Sequence, residues 1–279
     1  MTIVARRTLL FAPGNRGEVH SKALASGADV VCLDLEDAVP PHAKAEARAM
    51  AVPFLTADTS PERAVRINSL RSAEGMRDLL AIIEARSGGG VIFLPKVDSA
   101  EEVRIADNLL SEAGLPCGLA VIIESNRGLA EVIDILAASP RTRFALFGAA
   151  DLSAELGVPM EHESLLWARS RVVHAAKLAG IDVLDVPSLA FRDLDKVRAE
   201  AETAKRLGFT GKGVIHPSNV AVVNEVFSPT AEEIARAETV TRAYRESPDG
   251  LAVLDGKLIE RPVVRAMERI LALRDAATN

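Results

Sequence analysis

A closed barrel of eight parallel strands alternating with helices, a (β/α)8 TIM barrel, is the fold this sequence predicts, and three observations carry it. Short apolar runs near residues 8–12, 29–35, 64–68, 90–95, 118–124, 143–148, 182–186 and 213–216 alternate with stretches of helical periodicity. Several runs stay apolar until a polar or charged tip, as in Arg66-Ile67-Asn68, Pro95-Lys96 and Glu124. That is how a strand buried on both faces reads when its end lines a pocket. No Gly-x-Gly-x-x-Gly follows the first run, so an open dinucleotide-binding sheet lacks its fingerprint. The 279 residues suit one barrel of about 250 residues plus a short extension.

Taken in order, the first strand leaves through Pro13-Gly14-Asn15, a turn that either cradles part of a substrate or simply makes a tight connection. A helix from Glu18 to Ser26 follows. The run Val30-Val31-Cys32-Leu33 ends in Asp34-Leu35-Glu36-Asp37, ahead of a helix from Ala43 to Leu55. The third, fourth and fifth strands lead to helices over Gly75 to Arg86, Ala100 to Ala113 and Gly128 to Ala138. Ala145-Leu146-Phe147-Gly148 leads to Asp151, with a helix from His162 to Ala179 beyond it. The last helix of the barrel spans Leu194 to Leu207, and Val214-Ile215 leads to His216.

The barrel domain is expected over 1–227 and an arm or lid over 228–279. Ser228-Pro229-Thr230 breaks the chain and starts a helix running to about Glu246. Leu251 to Leu254 and Lys257 to Glu260 form a hairpin about Asp255-Gly256, and a helix from Pro262 to about Ala276 closes the chain. A helix, hairpin and helix of this length do not make an independent catalytic domain.

Composition narrows the function. Net charge is −6, without the clustered Lys and Arg that a nucleic-acid surface needs. The start of the chain has no apolar targeting core, and nowhere are there about 18 uninterrupted apolar residues, so no membrane partner and a cytoplasmic location are expected. Of the two cysteines, Cys32 reads as a buried strand residue and Cys117 as a loop thiol, rather than a disulfide or metal pair.

The strand ends carry the chemistry. Alternation puts Glu124 on one face with Ala120 and Ile122, Arg66 and Asn68 with Ala64, and Asp34 with Glu36. Carboxylates crowded into a barrel mouth repel one another unless a cation or proton intervenes. The surroundings are rich in oxygen and poor in His and Cys, which favours Mg²⁺ over Zn²⁺. Glu124 and Asp151 are the expected direct metal ligands, with waters filling the other positions.

Plainer readings stand beside these. Asp34 and Asp37 can cap the segment that follows, and Glu124 can belong to a buried ion pair. Lys96 serves either as a counter-ion or as a substrate contact. His216 reads as a rim residue bonded to its own loop, and Arg7, Lys22 and Arg48 as solvated charges.

The order of motifs resembles a known family. Arg7-Thr8-Leu9-Leu10-Phe11-Ala12-Pro13-Gly14, Leu33-Asp34-Leu35-Glu36-Asp37-Ala38-Val39, Val65-Arg66-Ile67-Asn68, Leu94-Pro95-Lys96-Val97, Ile123-Glu124, Phe147-Gly148-Ala149-Ala150-Asp151-Leu152, Gly208-Phe209-Thr210-Gly211-Lys212 and Ile215-His216-Pro217 appear in register over nearly the whole chain. The succession resembles the citrate lyase β-subunit-like branch of the HpcH/HpaI aldolase superfamily, which includes malyl-CoA and citramalyl-CoA lyases. The resemblance implies Mg²⁺-dependent cleavage of a 3-hydroxyacyl thioester of the malyl, citramalyl or citryl type into an oxo acid and an acyl-CoA, with thioester hydrolysis as an added activity.

It further implies roles residue by residue. Glu124 and Asp151 match the metal ligands, and Arg66 the arginine beside the thioester and carboxyl oxygens. Glu36 and Asp37 match the acids that hold the metal's waters, and the backbone of Gly148, Ala149 and Ala150 the loop that receives the oxo-acid carboxylate. Where an Asp of the C-terminal hairpin handles protons in several relatives, reaching in from a neighbouring subunit, this chain has Glu260, one methylene longer, or else an ordinary surface Glu. A homotrimer or a dimer of trimers follows by analogy. Two alternatives stand: a metal-dependent aldolase acting on a free oxo acid such as pyruvate, for which no imidazole base is evident beside Arg66–Asn68 or Glu36–Asp37, and a non-autonomous β subunit that works on an acyl carrier protein.

Overall fold

Eight strands pair side by side, each with the next in sequence and the last with the first, and the sheet closes on itself. The computed structural model describes residues 4–55, 60–247, 252–254 and 256–278. The elements run β1 Thr8–Pro13, α1 Gly17–Leu24, β2 Val30–Asp34, α2 Lys44–Ala51, β3 Glu62–Arg66, α3 Ala73–Glu84, β4 Val91–Leu94, α4 Ala100–Glu112 and β5 Gly118–Ile123. They continue with α5 Asn126–Ala130, α6 Val132–Leu136, β6 Thr142–Phe147, α7 Ala149–Leu156, α8 His162–Ala179, β7 Asp182–Asp185, α9 Leu194–Leu207, β8 Gly211–Val214 and α10 Val220–Phe227. All eight pairings are parallel, so the fold is a (β/α)8 TIM barrel.

Alternation along the strands fills the barrel. Leu9, Val30, Cys32, Ala64, Val91, Phe93, Ala120, Ile122, Phe144, Leu146 and Leu184 form one buried cluster, with Phe11 packed against it. Phe93 stacks on Phe11 at 6.1 Å between ring centres and meets Phe144 edge-on at 5.4 Å. The top of this plug, Phe11, Ile122 and Leu146, floors a cavity, and the next inward positions, Asp34, Arg66 and Glu124, are the first polar ones to face it. Both cysteines are buried and free, Cys117 included, although its position reads as a loop.

Cα packing divides the chain into one compact unit over Arg6–Asn224 and a second over Glu225–Asn279, with the residues before Arg6. The second unit comprises α11 Ala231–Arg245, the antiparallel pair β9 Ala252–Leu254 and β10 Lys257–Ile259, and α12 Arg261–Thr278. Val240, Ile259 and Val264 make its core, with Tyr244, Leu254 and Met267 against them. Thr230 caps α11 in a reciprocal box with Glu233. Asp255 of the expected hairpin turn and Pro248-Asp249-Gly250 before it lie outside the described residues.

Several expected boundaries move, each for a local reason. β3 begins at Glu62, two residues before its apolar run, because Glu62 is held by Arg6 at 2.6 Å and Arg143 at 2.7 Å. It ends at Arg66, and Asn68 lies beyond it, its N–H turned to Asp78 at 2.9 Å. β8 begins at Gly211, where two glycines and Lys212 conceal a strand; Lys212 is buried on the outer face against Asp185 at 3.0 Å. The single helix expected over 128–138 is two. Arg171 of α8 donates to the carbonyls of Leu129 and Ala130 at 2.9 and 2.7 Å, just where the ladder breaks at Glu131. The eight-residue α7 and α10 were not expected. Arg7 and Arg48 are not solvated: Arg7 pairs with Asp29 at 2.7 Å, and Arg48 with Asp78 at 2.6 Å and with Glu74. Lys22 is exposed, as expected.

Candidate active site

The C-terminal ends of the strands surround a cavity of about 490 Å³ lined by Asp34, Asp37, Arg66, Glu124 and Asp151 among apolar residues including Phe11, Ile122 and Leu146. Arg66 and Asp34 stand opposite each other on paired strands. Arg66 Nε and Nη2 donate to the two Asp34 oxygens, each at 2.7 Å, and the guanidinium lies over the Phe11 ring at 5.3 Å. Asp34 also caps the turn that follows, accepting from the N–H of Glu36 at 2.8 Å and of Ala38 at 2.9 Å. The capping reading of Asp34 thus holds, but it is half of the residue's work. Burial pushes its carboxyl up, and the Arg66 guanidinium overcomes this, holding it below the usual carboxylate range.

Glu36 is buried beyond Asp34. Its Oε1 meets the Lys96 ammonium at 2.7 Å, while Oε2 lies 3.0 Å from Arg66 Nη1 without hydrogen-bond alignment, so this buried oxygen accepts no hydrogen bond. Burial raises the Glu36 carboxyl despite both cations. Asp37 is mostly exposed, 3.5 Å from Lys96 Nζ and 3.6 Å from Arg66 Nη1.

Glu124 follows the end of β5 and is 6% exposed. Its Oε1 accepts from the backbone N–H of Lys96 at 2.7 Å. Burial first, then the negative charges of Glu36 and Asp151, push its carboxyl up to about 8. Asp151 is not at a strand end. It lies in the first turn of α7, exposed to the cavity that Glu124 also lines. Gly148, the residue before α7, abuts Glu124: an added Cβ would fall 2.4 Å from Glu124 Cβ and 2.8 Å from its Oε2. The Gly148 N–H donates to the Ile123 carbonyl at 2.9 Å. Of the backbone expected to receive a carboxylate, Gly148 to Ala150, the N–H groups of Ala149 and Ala150 are left at the helix start, where an anion is best received.

Among the described residues, no three His, Cys, Asp or Glu side chains converge as a cage for an ion. Two carboxylates suit a hard cation that keeps waters or takes substrate oxygens as its other ligands. Two observations fit a cation here: the orphaned Glu36 oxygen, and the cradle at Gly148 that a Cβ would fill. A raised Glu124 carboxyl among like charges is a third, because a cation relieves that repulsion.

Asn68 and His216 fall away from the cavity lining. Asn68 is bound to Asp78 of α3 through its N–H at 2.9 Å and its side chain at 2.7 Å, and accepts from Lys44 of α2 at 2.7 Å. His216 bonds locally to Ser218 at 2.7 Å and stacks on Phe191, a rim residue as expected. Glu260 is exposed and stands at the start of α12, its carbonyl accepting from Val263 and Val264.

Residues 7–217 match the model of the HpcH/HpaI aldolase/citrate lyase family. The citrate lyase subunit beta-like protein of Deinococcus radiodurans is 34% identical, covering 95% of this chain and 96% of the relative. The L-malyl-CoA/beta-methylmalyl-CoA lyase of Cereibacter sphaeroides is 35% identical over 95% and 93%. Among solved structures, protein CitE of Mycobacterium tuberculosis in complex with magnesium, acetoacetate and coenzyme A superposes with a TM-score of 0.81, at 32% identity, covering 97% of this chain and 98% of that one.

Proposed function

The chain belongs to the HpcH/HpaI aldolase/citrate lyase family and is a carbon–carbon lyase, and we propose that it is Mg²⁺-dependent and cleaves a 3-hydroxyacyl-CoA of the malyl, citramalyl or citryl type to an oxo acid and an acyl-CoA. The observation that carries this reading is the pair Glu124 and Asp151 on one cavity with Arg66. The relatives' names and the magnesium and coenzyme A in the Mycobacterium structure support it.

In the proposed reaction the substrate hydroxyl loses a proton, the carbon–carbon electron pair passes to the thioester as an enolate, and the enolate carbon regains a proton. What a divalent cation adds when bound at Glu124 and Asp151 is Lewis acidity toward the hydroxyl and carboxylate oxygens. Arg66 places positive charge beside the developing enolate oxygen, and Asp34, taking two of its five N–H donors, fixes the plane in which the rest point. The first-turn amides of Ala149 and Ala150 receive the carboxylate of the oxo acid. Glu36 and Asp37 would hold waters beside a cation bound at Glu124 and Asp151. Glu260, carried by the second unit of a neighbouring copy in a trimer or dimer of trimers, moves the proton.

Malyl-, citramalyl-, citryl- and β-methylmalyl-CoA, assayed with Mg²⁺ and with chelator, test the reading when oxo acid and free thiol are scored separately. Oxo-acid release that the chelator abolishes is expected. Thiol release without oxo acid makes the protein a thioesterase; inertness toward every CoA ester with turnover of an acylated carrier protein makes it a carrier-dependent subunit.

A further inference from the structure

Two non-glycine residues among those described have a left-handed backbone, Arg86 at φ 51° and Lys96 at φ 52°. Arg86 lies just past the end of α3, where a helix commonly finishes that way. Lys96 follows the end of β4, and no helix end accounts for its conformation. A side-chain-bearing residue persists there only where its surroundings hold it.

Three bonds hold it. The Lys96 N–H donates to Glu124 Oε1 at 2.7 Å, its carbonyl accepts from Arg71 Nη2 at 2.7 Å, and its ammonium lies 2.7 Å from Glu36 Oε1. One strained residue therefore joins two buried carboxylates, Glu124 through its backbone and Glu36 through its side chain. With Oε1 fixed by the amide, Glu124 Oε2 is set against Gly148, beside the helix that carries Asp151.

We propose that Lys96 is a positioning residue for the metal ligand: its ammonium, anchored on Glu36, keeps the backbone left-handed, and this aims the N–H that fixes Glu124 for a divalent cation. The inference rests on the reading that Glu124 holds that cation. The counter-ion reading of Lys96 holds toward Glu36 and Asp37, which its ammonium faces; the positioning role adds to it the peptide N–H that grips Glu124.

Lys96→Gly and Lys96→Ala separate the two parts. Both remove the ammonium and one positive charge, so the direct electrostatic effect on a bound cation is the same in each. Glycine enters the left-handed region freely and keeps the N–H in place; alanine does not. Mn²⁺ serves as the probe, titrated against the apo protein by calorimetry, with thermal unfolding of each variant alongside. Lys96→Gly is expected to bind Mn²⁺ at least as tightly as the parent, and Lys96→Ala about tenfold more weakly than Lys96→Gly, the scale of a left-handed penalty at one residue. Equal affinities in the two variants, or a glycine variant as weak as alanine, overturn the proposal. Should Lys96→Ala fail to fold, Lys96→Asn against Lys96→Gln repeats the comparison, because asparagine tolerates this backbone and glutamine does not. Mn²⁺ binding by the parent that Glu124→Ala leaves unchanged instead defeats the metal reading, and this inference with it.

Discussion

Arg66 and Asp34, paired across β3 and β2 in register, are joined by two parallel hydrogen bonds of 2.7 Å, so the guanidinium is fixed in orientation before any substrate arrives. A lysine ammonium is a point charge and cannot hold both Asp34 oxygens while presenting further donors in a plane. Arg66→Lys is expected to lower kcat/KM by about 100-fold or more, the scale of losing one oriented oxyanion donor. Steady-state kinetics on whichever CoA ester is turned over measures it. Near-parental efficiency would remove Arg66 from the reaction.

Glu124→Ala and Asp151→Ala are each expected to abolish metal-dependent turnover and to weaken Mn²⁺ binding severely, because each supplies half of the protein's proposed ligand set. Calorimetric titration of the apo variants reads this without reference to activity. Parental affinity in either one removes that residue from the ligand set.

Gly148→Ala tests the cradle. A methyl group there would lie 2.4 Å from Glu124 Cβ, far inside contact distance, and both flanking elements are well packed. Glu124 must move, and metal affinity is expected to fall at least tenfold, while Ala149 and Ala150 keep their amides. Unchanged Mn²⁺ affinity shows that the ligand has more room than its packing implies.

Acidity gives a test with a definite sign. Burial and the neighbouring carboxylates raise Glu124 to about 8, so at neutral pH the apo carboxyl is mostly protonated. Metal binding requires the carboxylate and therefore expels a proton. Mg²⁺ affinity is expected to rise roughly tenfold per pH unit from 6 toward 8 and then level off, with roughly one proton released per ion at pH 7. Titrations in buffers of different ionisation enthalpy measure that proton. A flat profile from 6 to 8 contradicts the raised carboxyl.

What the sequence could reveal followed distance along the chain. Glu124 was legible because an apolar strand ends in it and alternation sets it with Ala120 and Ile122, both of which lie in the barrel core. Asp151 was legible as a residue but not as a helical one: it read as the tip of the sixth strand, whereas α7 starts at Ala149, directly after Gly148. Asp34 read as a cap because a cap is local. Its grip on Arg66 spans 32 positions and depends on strand register. Asn68 shows the converse: two more positions of extended chain would have turned it toward the cavity, but β3 ends at Arg66 and Asp78 of α3 captures it. The left-handed backbone of Lys96 has no signature in composition, and glycine would have been the residue to look for there.

Glu260 joins the second unit to the chemistry. It is exposed at the start of α12, so its own chain leaves the carboxylate available. If that carboxylate enters a neighbouring copy's barrel as the proton-transfer group, light scattering at assay concentration should exceed the 29.7 kDa of one chain. Glu260→Ala should keep Mn²⁺ and thioester binding but lose about 10²–10⁴-fold in kcat, the usual contribution of a positioned acid or base. Complementation is the stricter measurement. Inactive Glu260→Ala and inactive Glu124→Ala chains, dissociated and reassembled together, should recover activity, because a mixed oligomer pairs an intact barrel with an intact hairpin. Verified mixed oligomers that recover nothing rule out sharing between copies. A Glu260→Ala protein as active as its parent returns the residue to the surface.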